Sequence, residues 1–335
     1  MKKSYLCIIY LLIAVGLTAL YTSCGGSKAE TLDEAQQGDA KNDTLVKVDT
    51  MKIPSGKYGD AIRYGRQLLL QTAYLIGPDG VNGHYTNNKM NCTNCHQDAG
   101  TKAYSLNLVT AFRHYPSYRA REGKVLSLAE RINNCIMHPH LGRPLPLEGR
   151  EMIGIMSYLK WLSDSSNVSK QTKGLKNVEV NFPDTAASPA SGARLYIADC
   201  ARCHGANGEG KMALNNVSYQ YPPLWGPKAY QPGSSMHRIV KLAQWLVSNM
   251  PYDKATHDQP FLTSAEALDL AAFINDDQIH QRPYVKEFQY PNPEEKAIDY
   301  DRGPFKDPFT DKQHKYGPYK PIAEYWKGKG VEPTY

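Results

Sequence analysis

The sequence lacks several features that would place it in other structural classes. Its mean hydropathy of −0.53 excludes a protein that crosses the membrane many times. Few strand patterns are present, which favours an all-α class. Hydrophobic residues make up 41% of the chain, too large a share for a wholly disordered protein. A length of 335 residues suggests about two domains, which can bury hydrophobic cores without disulfide bonds.

A targeting signal is predicted at the N-terminus. Lys2 and Lys3 precede a mostly apolar run over residues 5–20, which is too short and too close to the N-terminus for a membrane span. The run ends in small residues before Cys24, in a pattern that resembles a bacterial lipoprotein cleavage site. We therefore predict a lipoprotein signal peptide over residues 1–23 and lipidation of Cys24. Ordinary signal cleavage and an uncleaved anchor are the alternatives.

The segment after the predicted signal, residues 24–55, is rich in Ser, Asp, Glu, Lys, Gln and Thr. This composition predicts a flexible tether. The mature protein is thus expected to face the periplasm and to be anchored through its lipid to a membrane of the cell envelope.

Two Cys-x-x-Cys-His motifs predict the cofactors. Cys92-Thr93-Asn94-Cys95-His96 and Cys200-Ala201-Arg202-Cys203-His204 have the spacing of c-type haem attachment. In such a motif the two thiols form thioethers with the haem and the histidine binds the iron. A redox Cys-x-x-Cys pair would need no histidine and favours a thioredoxin-like βαβ setting, which the sequence does not indicate. Two covalently attached haem c groups are predicted, with His96 and His204 as iron ligands.

Net charge says little about partners. The formal charge of +6 falls to +4 when Lys2 and Lys3 leave with the signal, since the signal holds no acidic residue. The propionates of two haem groups would bring the total near zero, so we expect no nucleic-acid partner. Positive charge is instead concentrated in one segment: residues 102–150 contain eight Lys and Arg but only three Glu.

Cys135 is the one cysteine that these assignments leave over. Cys7 lies in the signal peptide, Cys24 is the lipidation site and the other four cysteines lie in the haem motifs. An unpaired thiol in an oxidising compartment is either a buried, inert side chain or a ligand with a function.

An internal repeat favours the second interpretation. Asn134-Cys135 and Asn249-Met250 are 115 residues apart, and so are Glu151 and Glu266. Cys135 therefore occupies the position of Met250, which follows a predicted helix over His237–Ser248 and suits the distal ligand of a helical cytochrome c. We predict that Cys135 binds the first iron and Met250 the second. The alternative ligands are Met137, His138, His140, Met152 and His114 for the first iron, and Met236 and His237 for the second.

The repeat also sets the predicted domain organisation. Periodic apolar positions indicate two further helices, Glu151–Leu162 and Ala265–Ile274, each at the end of a cytochrome c unit. The predicted segments are a first cytochrome c domain at 56–165, a linker at 166–190, a second cytochrome c domain at 191–280, and an irregular surface extension at 281–335.

The chain resembles the thiosulfate dehydrogenases, a family of dihaem cytochromes c that couple two thiosulfates into tetrathionate, some of which run the reaction as tetrathionate reductases. The resemblance extends from about residue 60 to 320. The matching segments are Cys92–Thr101, Tyr118–Gly123, Arg131–Cys135, Gly142–Pro146, Pro223–Pro227, Asn249–Pro251 and Gln313–Pro318.

The resemblance implies roles for several residues. In the family, the cysteine that matches Cys135 binds the active-site iron, and the arginines that match Arg121 and Arg131 line the anion site. Thiosulfate and tetrathionate are dianions, and a guanidinium presents a planar fork to their sulfonate oxygens. Arg131 precedes Cys135 by one helical turn and can reach a ligand beside the same iron.

Two departures from the family pattern affect the site. His138-Pro139-His140-Leu141-Gly142 stands where family members commonly have Arg-Ser-Met-Asn-Gly, which introduces His138 as a proton or hydrogen-bond donor to a leaving sulfur group. Asn249 stands beside Met250 where some members have Lys, so the potential of the second haem is expected to differ.

The sequence thus predicts an oxidoreductase that interconverts thiosulfate and tetrathionate and exchanges electrons with a small cytochrome or a quinol-linked donor. One alternative is a non-enzymatic dihaem electron-transfer protein with two closed haem sites. Another is a sulfur-oxidation cytochrome subunit that acts on a carrier protein through Cys135.

Overall fold

A computed structural model describes residues 49–169, 172–283 and 289–335. The predicted signal peptide, the lipidation site Cys24 and the predicted tether up to residue 48 lie outside this part of the chain. None of the helices within it has the length and apolar character needed to cross a membrane.

The first half consists of helices and one small hairpin. Its helices are α1 (Gly56–Leu70), α2 (Thr72–Ile76), α3 (Gln97–Gly100), α4 (Leu128–Met137) and α5 (Arg150–Ser165). Strands β1 (Ser117–Arg119) and β2 (Lys124–Leu126) pair antiparallel. Helix α4, which carries Cys135, begins at a capping box in which Ser127 and Glu130 bond each other's backbone N–H groups.

The second half repeats this plan. Its helices are α6 (Pro189–Leu195), α7 (Ala201–His204), α8 (Ile239–Asn249) and α9 (Ser264–Ile274). A π-helical turn, Tyr196–Cys200, joins α6 to α7. Strands β3 (Lys211–Met212) and β4 (Tyr219–Tyr221) form a second antiparallel hairpin. Helix α9 also begins at a capping box, formed by Thr263 and Glu266.

The first and last helices of each half cross closely at a glycine. A Cβ on Gly65 of α1 would lie 1.9 Å from the carbonyl oxygen of Gly154 in α5. A Cβ on Gly192 of α6 would lie 2.0 Å from the carbonyl oxygen of Asp269 in α9. Any larger residue would push the helices apart, so the glycine recurs in the repeat for a packing reason.

The chain already packs before the predicted domain start at residue 56. Asp49 caps a short 3-10 helix, Thr50–Lys52, and Ile53 is buried in the first hydrophobic core. Arg63 of α1 donates to the carbonyl of Ile53. The last residues of the predicted tether therefore belong to the folded first half.

The C-terminal extension is more regular than its sequence pattern indicates. It contains a 3-10 helix (Pro293–Glu295), α10 (Asp311–Tyr316) and α11 (Lys320–Gly328). Tyr319, Ile322 and Trp326 are buried in the core of the second half. The helices of 6 and 9 residues are too short to show a clear period in the sequence, and their buried faces are completed by the second half.

Candidate active site

The contacts of Cys92 show how the first haem-binding motif is held in place. Cys92 lies in a 3-10 helix, Cys92–Asn94, where Thr72 of α2 donates to its sulfur over 3.3 Å. The backbone N–H of Cys92 donates back to the Thr72 hydroxyl over 3.0 Å. The cysteines of the described chain form no disulfide, so both pairs are available for thioethers.

The histidine of each motif is oriented in the same way. His96 Nδ1 donates to the carbonyl of Leu106 over 2.5 Å, and His204 Nδ1 donates to the carbonyl of Pro222 over 2.8 Å. A neutral imidazole that donates from Nδ1 presents an unprotonated Nε2, which is the state required of an iron ligand. The two residues fit the proximal positions that their motifs predict.

Cys135 lies beside His96 in the first half. The two side chains hydrogen-bond, so sulfur and imidazole face each other directly. Burial opposes ionisation of the thiol, but the positive charge of Arg131 and the bond to His96 outweigh it and lower its pKa to about 6. In turn the Cys135 sulfur is the main reason that the pKa of Arg131 is raised. This arrangement holds a thiolate at neutral pH, the form that binds metals and attacks sulfur.

Arg121 is the second cationic group of this site. Its side chain is 8% exposed, and burial is the main reason that its pKa is lowered. Its guanidinium donates to the Ser235 hydroxyl over 2.8 Å and to the Gly233 carbonyl over 3.3 Å. Arg131 is close enough to repel it. In the described chain no carboxylate pairs with Arg121, so the site carries positive charge suited to an anion.

The two histidines after α4 have different surroundings. His138 Nδ1 donates to the carbonyl of Asn134 over 2.8 Å, and its ring lies against Gly233, where a Cβ would come within 2.5 Å of it. His140 Nε2 lies 3.6 Å from the Cys92 sulfur, and its buried Nδ1 has no hydrogen-bond partner. Burial lowers the pKa of His140 to about 4, so this ring is neutral.

The other alternative ligands of the first iron have different environments. His114 is exposed and bonds the carbonyl of Thr110, and Met152 is buried in the core between the helices. Met137 ends α4, and its carbonyl accepts a bond from Gln231. Among all these candidates, the structure gives Cys135 a direct bond to His96.

At the second site, Met250 directly follows α8 and packs against the core of the second half. In the alternative ligand His237, Nε2 donates to the Asp277 carboxylate over 2.8 Å, so this nitrogen is already engaged. Met236 is buried in the same core. Met250 therefore stays the predicted ligand of the second iron, together with His204.

Residues from the second half complete the first site. Gln231 donates through its backbone to the carbonyl of His138 and through its side chain to that of Met137. Ser235 and Gly233 hold Arg121. These contacts join residues about a hundred positions apart, and no local sequence signal marks the loop 231–235 as part of a site that surrounds Cys135.

Comparisons with known proteins agree with this architecture. A family model described as "SoxA/TsdA, cytochrome c domain" matches residues 82–168, and one described as "Cytochrome c" matches residues 189–278. They confirm the all-α fold with two cytochrome c domains in tandem. They also confirm two covalently bound haem c groups, for which the free thiols and the oriented imidazoles are suitable donors.

The chain is also similar to individual proteins. "Thiosulfate dehydrogenase" of Stutzerimonas stutzeri is 33% identical over 231 residues, which cover 69% of this chain and 70% of that protein. The protein of that name from Thiomonas intermedia is 32% identical, with the same shares.

A solved structure of "Thiosulfate dehydrogenase (TsdBA)" from Marichromatium purpuratum aligns with a TM-score of 0.62 at 31% identity. The alignment covers 71% of this chain and 49% of that one, so the chain spans about half the length of that protein.

Proposed function

Because this chain belongs to the thiosulfate dehydrogenase family, we propose that it interconverts thiosulfate and tetrathionate at the first haem site. The observation that carries this proposal is the buried thiolate of Cys135, held between His96 and Arg131 with Arg121 nearby. A simple electron-transfer protein has no need of a low-pKa thiol beside a guanidinium group.

The reaction is balanced without protons. In the oxidative direction two thiosulfate dianions lose two electrons and form one sulfur–sulfur bond, which gives the tetrathionate dianion. In the reductive direction the same bond takes up two electrons and breaks. The site must therefore bring sulfur atoms of like-charged ions together and provide a route for electrons.

The charged side chains meet the first requirement. Arg121 and Arg131 reduce the repulsion between the two dianions and orient their sulfonate groups through paired N–H donors. The hydroxyl of Ser235 fixes the guanidinium of Arg121. This preorganisation lowers the cost of placing two anions in a partly buried site.

Cys135 and His138 act at the reacting sulfur. The haem bound through Cys92, Cys95 and His96 supplies one-electron transfer. The Cys135 thiolate would ligate the iron of that haem. If its sulfur bonded a thiosulfate sulfur during turnover, the two electrons released would pass to the two haem groups, and attack by the second thiosulfate would release tetrathionate and restore the thiolate. A hydrogen bond from Nδ1 to the carbonyl of Asn134 orients the His138 ring, which lies near enough to Cys135 to favour its thiolate.

Purified holoprotein tests the proposal when it is assayed in both directions with a small cytochrome or an artificial electron carrier. Cys135→Ala should load both haem groups and lose turnover, and its low-temperature EPR spectrum should lack the thiolate-ligated low-spin signal. His114→Ala is the matched control, because this exposed histidine was an alternative ligand. Absence of turnover in wild-type protein that carries both haem groups would leave only an electron-transfer protein.

The cellular context forms part of the proposal. Cytochrome c domains are characteristic of exported proteins, and we expect Cys24 to anchor this one to a membrane of the cell envelope, with the active site facing the periplasm. Met250 and the second haem would pass electrons to a small cytochrome or a quinol-linked partner. Cys24→Ser should move the protein from the membrane fraction to the soluble fraction; an unchanged distribution would refute lipid anchoring through this residue.

A further inference from the structure

Helix α8 is the element that connects the two haem sites. Ten of its eleven residues are buried, although it belongs to the second half. A helix that is buried on all its faces must pack against neighbours all round. One end of α8 leads to Met250, the predicted ligand of the second iron.

Trp245 of this helix contacts the first haem-binding motif. Its indole Nε1 donates to the carbonyl of Cys95 over 3.2 Å, and the side chain is 6% exposed. Cys95 is one of the two thiols that attach the first haem. A residue that merely filled the core would need no N–H group directed at the backbone of that motif.

The end of α8 that leads to Met250 contacts the segment that holds His96. Asn249 donates to the carbonyl of Tyr104 over 3.0 Å and to that of Trp245 over 2.8 Å. Leu106, two residues beyond Tyr104, accepts the bond from His96. Hydrogen bonds and packed atoms thus run without interruption from the first motif, through one turn of α8, to the residue before Met250.

We propose that Trp245 mediates electron exchange between the two haem sites. The inference rests on the proposed function, in which electrons pass through the second site. An electron leaves one iron and arrives at the other; no bond forms or breaks and no proton moves. Electron tunnelling falls steeply with distance through empty space, and the indole offers a polarisable ring that is hydrogen-bonded to Cys95 and carried by the helix before Met250.

Flash photoreduction of the holoprotein tests this assignment. After one electron enters, its equilibration between the two haems is followed by their different absorption spectra, without substrate. Trp245→Leu removes the ring, and we expect equilibration to slow markedly, because the aliphatic side chain leaves fewer packed atoms between the two motifs. Trp245→Phe keeps a ring but loses the N–H group, and we expect a smaller loss of rate than in Trp245→Leu.

Trp326→Phe is the matched control, since this tryptophan is equally buried but donates to Asp307 in the C-terminal extension. Redox titration and EPR of each variant should show unchanged potentials and iron ligands, which a general distortion would alter. Equilibration at the wild-type rate in both Trp245 variants would overturn the assignment. If the leucine variant does not load haem, the equilibration rates of Trp245→Phe and Trp326→Phe test the assignment by themselves: equal rates would overturn it. Failure of thiosulfate turnover would refute the proposed function but would leave this measurement intact.

Discussion

At the scale of single residues, the site depends on charges that are buried without full compensation. Arg131 and the Cys135 thiolate neutralise each other, whereas the acceptors of Arg121 among the described residues are a hydroxyl and a carbonyl. A buried cation with neutral partners is costly, and an anionic substrate offsets that cost when it binds. The strength of substrate binding should therefore respond to small changes around Arg121.

Ser235→Ala should weaken substrate binding with little effect on the chemical step. The hydroxyl accepts from Arg121, and a hydrogen bond to a charged group is worth about 1.5–3 kcal/mol. We expect KM for thiosulfate to rise about tenfold and kcat to change less.

Ser235→Thr keeps the hydroxyl and should restore KM, and Ser157→Ala on α5 is the control. A fall in kcat at unchanged KM in Ser235→Ala would contradict this role of Ser235.

A second prediction at this scale concerns pH and stability. Burial is the main reason that the pKa of His237 is lowered to about 4, despite its bond to Asp277. Between pH 6.5 and 4 the unfolded chain then binds more protons at this residue than the folded protein does. The resulting stabilisation is complete above pH 6.5 and is lost as pH falls toward 4; at pH 5 the loss is roughly 2 kcal/mol.

Thermal unfolding of holoprotein at pH 7 and pH 5 measures this effect. His237→Gln cannot titrate and should show a smaller drop between the two pH values. An equal drop in both proteins would assign the pH dependence to other groups.

At the scale of elements, each half depends on the crossing of its first and last helices. Gly65 and Gly192 occupy equivalent places in the two crossings, and in each the opposing atom is a backbone carbonyl. A backbone group cannot move aside as a flexible side chain can. The repeat in sequence is therefore also a repeat of one packing contact.

Gly192→Ala should destabilise the second half. Inserting a methyl group into a packed contact costs about 1–3 kcal/mol. We expect a cost at the upper end of this range, because the neighbouring atom belongs to the backbone and cannot move aside. Denaturant unfolding of the holoprotein measures the change. Gly328→Ala in α11 is the control: a Cβ there has no atom within 4 Å, and alanine favours a helix over glycine by up to about 1 kcal/mol. Equal stabilities of the two variants would refute the packing explanation.

At the scale of the whole molecule, the described halves and the extension work as one unit. The loop 231–235 completes the first site from the second half, and α8 contacts the first haem motif and ends beside Met250. The extension closes the core of the second half through Tyr319, Ile322 and Trp326. Neither half presents the full active site alone.

Ile322→Ala should show that the extension is structural. The side chain is fully buried, and such a truncation costs about 2–5 kcal/mol. We expect a lower denaturant midpoint with the same number of haem groups bound. The exposed Val331→Ala is the control, and a midpoint equal to that of wild type would mean that the extension contributes little to the second core.

Chemistry that is encoded locally was accessible from the sequence. The two Cys-x-x-Cys-His motifs specify covalent haem attachment because two thiols and an imidazole at this spacing meet one cofactor. The common offset of Cys135 and Met250 indicated equivalent positions because a repeated fold repeats its geometry. Helices α5 and α9 were predicted to within a few residues because each is long enough to show an apolar period.

Tertiary structure alone decided which distant residues share a site. Ser235 meets Arg121 and Trp245 meets Cys95 across separations of 114 and 150 residues, and no periodicity records such contacts. The helices of the extension were also missed, since a short helix acquires its stability from the surface it covers. The sequence specifies the groups that react. Burial and long-range packing determine the charge of those groups, their hydrogen-bond partners and the path for electrons between the two haem sites.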